Sequence, residues 1–171
     1  MLKIFYNLHP FFEDNYKEYG VREYAKLIGI SPPTASVYLK EFNNEKILNS
    51  WKERKYNFYK ANRDNNLFID LMKAYYRIKL KDLIQYISKI SNFPTIILFG
   101  SLAKGEANKN SDIDLYIDSN KFEINLSKFE KILKRKIELH FKPSIKNINL
   151  KNNILNGLVL NGSNIIWTGK N

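Results

Sequence analysis

The spacing of hydrophobic positions changes along the chain, and the change divides it. In VREYAKLIG, Val21, Tyr24, Ala25 and Ile28 recur at helical spacing, and Gly29 is a natural left-handed stop. SPPTASVYLKEF predicts a second helix, with Ser31 as its cap, Pro32 in the first turn, and Ala35, Leu39 and Phe42 along one face. In ILNSWKERKYNFYKA, strands are predicted at 47–51 and 56–60, around a basic tip of Lys52, Arg54 and Lys55. The polar cluster ANRDNN at 61–66 separates these short elements from the rest of the chain.

Beyond that cluster, LFIDLMKAYYRIKLKDLIQYI predicts one long helix from about Leu67 to Ile90, apolar at Phe68, Leu71, Met72, Tyr75, Ile78 and Leu83. TIILFG reads as a buried strand, and DIDLYI and KIELHF alternate with the period of two that strands require. The last stretch, LKNNILNGLVLNGSNIIW, predicts a helix, a turn at Asn161 and Gly162, and a final strand at 164–167, with Trp167 either packing or bordering a base. Two domains are expected, residues 1–63 and 67–171.

Composition narrows the choices. A hydrophobic share of 44% is enough to fill a core, and no apolar run approaches the roughly 20 residues of a membrane helix. With no charged-then-apolar leader in view, a soluble cytoplasmic protein is expected, without a membrane partner. The chain has no cysteine and only His9 and His140, so a metal here is expected to be a hard ion held by carboxylate oxygens. The net charge of +11 suits an anionic partner such as nucleic acid or nucleotide, or reflects a lysine- and asparagine-rich composition.

Against that basic background, FGSLAKGEANKNSDIDLYID concentrates acid. Strand alternation places Asp112, Asp114 and Tyr116 on one face and Ile113, Leu115 and Ile117 on the buried one. Two carboxylates about 7 Å apart on one face repel unless a cation lies between them, and a divalent ion meets that need. Magnesium takes carboxylate, water and phosphate oxygens. Gly100 and Ser101, after a strand and before a short helical turn, offer backbone N–H groups and a hydroxyl to phosphate. The spacing Gly-Ser-x10-Asp-x-Asp thus describes a site for a metal-bound nucleoside triphosphate. Glu138 adds a third carboxylate if KIELHF pairs beside DIDLYI, which would allow two metal ions. His140 shares the Glu138 face, as a general base or as a surface histidine, and Asp118 reads as a strand-end turn residue.

These residues carry two resemblances. Residues 1–63 resemble the winged helix-turn-helix domains of prokaryotic transcription regulators. That likeness implies DNA contacts by Thr34, Ser36, Val37 and Lys40 on the second helix, and phosphate contacts by Lys52, Arg54 and Lys55 on the wing. Dimerisation or protein docking is the alternative use of such a domain.

Residues 67–171 resemble the nucleotidyltransferase superfamily that includes DNA polymerase β and kanamycin nucleotidyltransferase, and above all its minimal prokaryotic members. The implied fold class is α+β, with a winged helix-turn-helix followed by a nucleotidyltransferase domain whose small mixed sheet is packed by helices chiefly on one side. The implied activity is transfer of a nucleoside monophosphate from a triphosphate, expected to be ATP, to a hydroxyl of a protein, RNA or small molecule, with release of pyrophosphate. By position, Asp112, Asp114 and Glu138 would be catalytic and would ligate two Mg2+ ions, while Gly100, Ser101 and Lys104 would bind the triphosphate. DNA or RNA is an expected partner of the first domain, and a homodimer is compatible with the sequence. Two other roles remain open: a DNA-binding regulator that senses nucleotide without turnover, and an antitoxin-type transferase acting on a toxin partner.

Overall fold

The computed structural model describes residues 2–142 and 147–163, and divides into two compact units. The first comprises Met1–Tyr75 with Gly105–Lys109, and the second Tyr76–Lys104 with Asn110–Asn171. The short segment 105–109 lies between Gly100 and Asp112 in sequence, yet it belongs to the first unit.

The first unit runs α1 (Lys3–Glu13), β1 (Tyr19–Gly20), α2 (Val21–Ile28), α3 (Pro32–Asn44), β2 (Leu48–Glu53) and β3 (Tyr56–Ala61). Its three strands form an antiparallel sheet in the order β1-β3-β2. Local chemistry sets the α2–α3 junction. Gly29 takes the left-handed conformation that ends α2, and the Ser31 side chain accepts a hydrogen bond from the Thr34 N–H to start α3. Phe11, Tyr24, Ile28, Ala35, Leu39 and Leu48 are buried beneath the helices. The two-residue strand β1, which the hydrophobic pattern does not reveal, is held by pairing of Tyr19 with Tyr59 and Gly20 with Phe58.

One buried polar residue ties the first unit together. Asn15 is fully buried between α1 and β1; its amide donates to the Phe11 carbonyl, and its Oδ1 accepts from the Ala107 N–H at 2.7 Å. The Asn15 N–H in turn donates to the Ala107 carbonyl at 2.8 Å. Both backbone groups of Ala107 are therefore satisfied by a single residue 92 positions earlier.

The expected long helix is two helices, α4 (Asn66–Lys79) and α5 (Lys81–Ile90). Leu80, at φ −91° and ψ 0°, interrupts the helical geometry, although the bonds from Leu80 N–H to Tyr76 and from Ile84 N–H to Leu80 continue across it. No glycine or proline marks the break. Leu80 is fully buried, so packing places it there, and Ile78, expected in the core, is exposed.

The second unit continues with β4 (Ile96–Phe99), α6 (Ser101–Lys104), β5 (Ile113–Ile117), α7 (Ser127–Leu133), β6 (Ile137–Phe141), α8 (Ile148–Leu155) and β7 (Leu158–Asn161). The sheet order is β6-β5-β4-β7, with β5 and β6 parallel and the other pairs antiparallel. It is thus a small mixed sheet in an α+β fold. On one face, α8 supplies Leu150 and Ile154 to a cluster with Ile97, Phe99, Tyr116 and Val159. Tyr116, expected beside the aspartates on an open face, is accordingly fully buried, and its hydroxyl donates to Asp118 Oδ1. The strand β7 was not expected at Leu158–Asn161; the one expected at 164–167, with Trp167, lies outside the described residues. Among the described residues no helix is long and apolar enough to cross a membrane.

The Asn15 network generates a stability prediction. Asn15→Ala strands the buried Ala107 N–H and should cost about 1–3 kcal/mol. Urea unfolding followed by circular dichroism should show the unfolding free energy falling by that amount, with a lower midpoint; an unchanged midpoint would mean that water replaces the side chain without penalty.

Candidate active site

The site is built on the parallel pair β5–β6. Ile113 pairs with Ile137, Asp114 with Glu138 and Tyr116 with His140. This register is pinned just before the strands begin. The Ile113 N–H donates to the Lys136 carbonyl at 2.9 Å, the Ile137 N–H donates to Glu130 Oε1 at 3.0 Å, and the buried Arg135 guanidinium donates to the Ser111 carbonyl. Asp114 and Glu138 are therefore neighbours on one face because the backbone ladder holds them there.

Glycine at position 100 forms the other wall. Phe99 pairs with Asp114 across β4 and β5, and the chain then turns at Gly100 with φ +72°. A Cβ at that position would come within 2.3 Å of Asp114 Oδ2. Two demands converge on this residue: a left-handed backbone and room for a carboxylate.

Charge in the site is balanced internally. The Lys136 ammonium lies 2.6 Å from Glu138 Oε1. Its hydrogen bond and positive charge hold the Glu138 carboxyl below the ordinary glutamate range, so the group stays ionised to lower pH than a free glutamate. Lys136 is itself raised above the ordinary lysine value, first by Glu138 and to a lesser degree by Asp112. The Lys142 ammonium similarly lies 3.2 Å from Asp118 Oδ1, which makes Asp118 part of a structural ion pair at the strand end.

Donor atoms of Asp114, Glu138 and His140 lie within 4.8 Å of one another. Asp112, half-buried and one residue before β5, stands outside that group. The residues present fit a divalent ion: two carboxylates converge with an imidazole, His140 Nε2 is buried with no hydrogen-bond partner among the described residues, and Gly100 leaves a cradle against Asp114 that any side chain would fill. Ser101 opens α6 half-buried, and Lys104 donates to Asn153 Oδ1 of α8 at 2.8 Å. Sequence reasoning passed over Lys136 and left His140 as a general base or a surface histidine. The signal available was the two-residue step through Lys136, Glu138, His140 and Lys142, which puts all four on one strand face.

In the first unit, the residues considered for DNA are divided by exposure. Val37 and Lys40 are exposed on α3, while Thr34 and Ser36 are half-buried and the Thr34 hydroxyl lies 2.8 Å from that of Ser31. Lys52, near the end of β2, is exposed, as are Arg54 and Lys55 at the β2–β3 turn, where Arg54 has φ +53°.

Residues 80–161 match the family model for the nucleotidyltransferase domain. No curated protein matches the chain. The match includes all four strands of the second sheet and the loop carrying Gly100 and Ser101, and supports a nucleotidyltransferase domain in this region.

The two demands on Gly100 can be separated. Gly29 also has positive φ, at +68°, but a Cβ there would meet nothing within 4 Å. Gly29→Ala should lose only the backbone part, about 1–2 kcal/mol, and Gly100→Ala should lose more because Asp114 must move. Equal losses in paired denaturation curves would show that the Asp114 contact is relieved at no cost.

Proposed function

We propose how this nucleotidyltransferase enzyme works: it transfers a nucleoside monophosphate from a triphosphate to a hydroxyl acceptor, with Asp112, Asp114 and Glu138 holding divalent ions. The observation that carries the proposal is the pairing of Asp114 with Glu138 beside a glycine that presses its backbone against the Asp114 carboxylate. Divalent ions, magnesium on the oxygen-donor argument, supply positive charge to the phosphates and to the acceptor oxygen when bound. The remaining chemistry belongs to the chain. Gly100 and the Ser101 hydroxyl bind phosphate oxygens of the triphosphate, ATP being the expected one. Glu138 takes the proton of the acceptor hydroxyl as its oxygen bonds to the α-phosphorus, and the bond to pyrophosphate breaks. Lys136 gives Glu138 a counter-ion before substrate arrives, which keeps the carboxyl ionised and able to act. Lys104, held by Asn153, contributes charge to the triphosphate side of the site only if that hydrogen bond opens.

The first unit is read as a winged helix-turn-helix, because its order α1-β1-α2-α3-β2-β3 and its sheet support that arrangement. Its surface suits nucleic acid: Val37 and Lys40 project from α3, and Lys52, Arg54 and Lys55 crowd the hairpin tip. With the half-buried Thr34 and Ser36, these residues form the proposed contact set. The acceptor is then an RNA, or a protein or small molecule selected elsewhere on the enzyme.

Transfer is tested by incubating the protein with a divalent ion and α-labelled nucleoside triphosphates in cell extract. Label should reach a macromolecule or small molecule with the unaltered chain, and fall at least about a thousandfold for Asp112→Ala, Asp114→Ala. Label transfer that survives the double substitution overturns the assigned site; triphosphate binding without any transfer favours a nucleotide sensor. For the wing, fluorescence anisotropy on duplex DNA should show Lys52, Arg54 and Lys55→Ala weakening binding, with the salt dependence falling by about 0.9 per phosphate contact removed. An unchanged slope would assign the domain to protein docking.

A further inference from the structure

We propose that His140 is a nitrogen ligand of the divalent ion at this site and shifts its preference from magnesium toward transition ions; this deepens the metal-site reading above and rests on it. Three observations carry the inference. First, β6 presents Glu138 and His140 on one face, paired with Asp114 and Tyr116 of β5. The donor atoms of Asp114, Glu138 and His140 all lie within 4.8 Å of one another, a spacing that one ion can span.

Second, His140 Nε2 lacks what a buried imidazole nitrogen normally has. It is shielded from solvent, and among the described residues it has no hydrogen-bond partner. Asp114 Oδ1 is 3.8 Å away, too far for a hydrogen bond and near enough that a small side-chain movement brings both atoms onto one ion. The two lysines on the same strand face are engaged elsewhere, Lys136 with Glu138 and Lys142 with Asp118. A buried polar atom left in this way calls for an explanation, and an ion is one that fits the neighbouring carboxylates.

Third, the ring is held in place. Phe99 packs edge-on against it, with centroids 5.1 Å apart and planes at 69°. Phe99 pairs with Asp114 across the sheet, so one residue fixes the backbone beside the carboxylate and the orientation of the imidazole. A nitrogen donor matters chemically because magnesium strongly favours oxygen ligands, whereas imidazole suits the later first-row ions and zinc. The pair of carboxylates keeps the site open to magnesium; the imidazole adds affinity selectively for its competitors.

The experiment uses residues 1–171 without nucleotide. Mn2+ alone is bound and examined by pulsed electron paramagnetic resonance for coupling to 14N, and Co2+ and Mg2+ affinities are measured by calorimetry. His140→Gln and Asp114→Asn are compared with the unaltered chain, with His9 retained throughout and thermal melts confirming that each variant folds. The expected result is nitrogen coupling that disappears in His140→Gln, with Co2+ affinity falling about tenfold or more and Mg2+ affinity changing far less. Ion binding that depends on Asp114 but shows no nitrogen coupling, or an unchanged Co2+ to Mg2+ ratio in His140→Gln, overturns this inference alone. Binding that Asp114→Asn leaves untouched overturns the metal site itself, and the inference with it.

Discussion

The cluster of Asp114, Glu138 and His140 depends on the parallel register of β5 and β6. Asp114 and Glu138 are 24 residues apart in sequence, and a slip of one residue would turn one of them into the core. The register is held at its start by polar contacts from Glu130, Arg135 and the Lys136 backbone, where hydrophobic alternation alone would leave a short strand free to shift. On the buried face, Ile113, Leu115 and Ile117 reinforce the same choice. The structure thus confines two like charges to one small area and offsets their repulsion locally with Lys136, whose flexible stem keeps its ammonium exposed and displaceable.

The glycine-serine turn belongs to the same constraint. Because Phe99 pairs with Asp114, the chain that leaves β4 must pass directly over the carboxylate. Only a residue without a side chain fits that passage at positive φ, so Gly100 leaves the room that the Asp114 carboxylate occupies. His140 completes the arrangement from the far strand, with its ring braced by Phe99. A single aromatic residue therefore touches both the entry to the turn and the imidazole.

The loop between the two halves of the motif has a different anchor. Its middle, Gly105–Lys109, belongs to the first unit, where Asn15 satisfies both backbone groups of Ala107. Such a paired amide–backbone contact is exacting, since a buried donor or acceptor left alone costs more than an ordinary hydrogen bond contributes. The ten residues separating Ser101 from Asp112 are accordingly more than a spacer.

The sequence alone determined whatever depends on residues near each other in the chain. The Gly29 stop and Ser31 cap are local chemistry, and the strand faces carrying Asp114 and Glu138 follow from a period of two; the spacing of Gly100, Ser101, Asp112 and Asp114 is read directly along the chain. Tertiary structure decided what depends on distant partners. Tyr116 has the alternation of a solvent-facing residue, but α8 covers it; Leu80 interrupts a helix that its own sequence would continue; β1 exists because β3 accepts it at an edge, and β7 because β4 does. The buried nitrogen of His140 and the long reach of Asn15 belong to this second group. Local periodicity fixes which way a side chain points, but only packing against remote segments fixes whether that direction leads to solvent, to core or to a ligand.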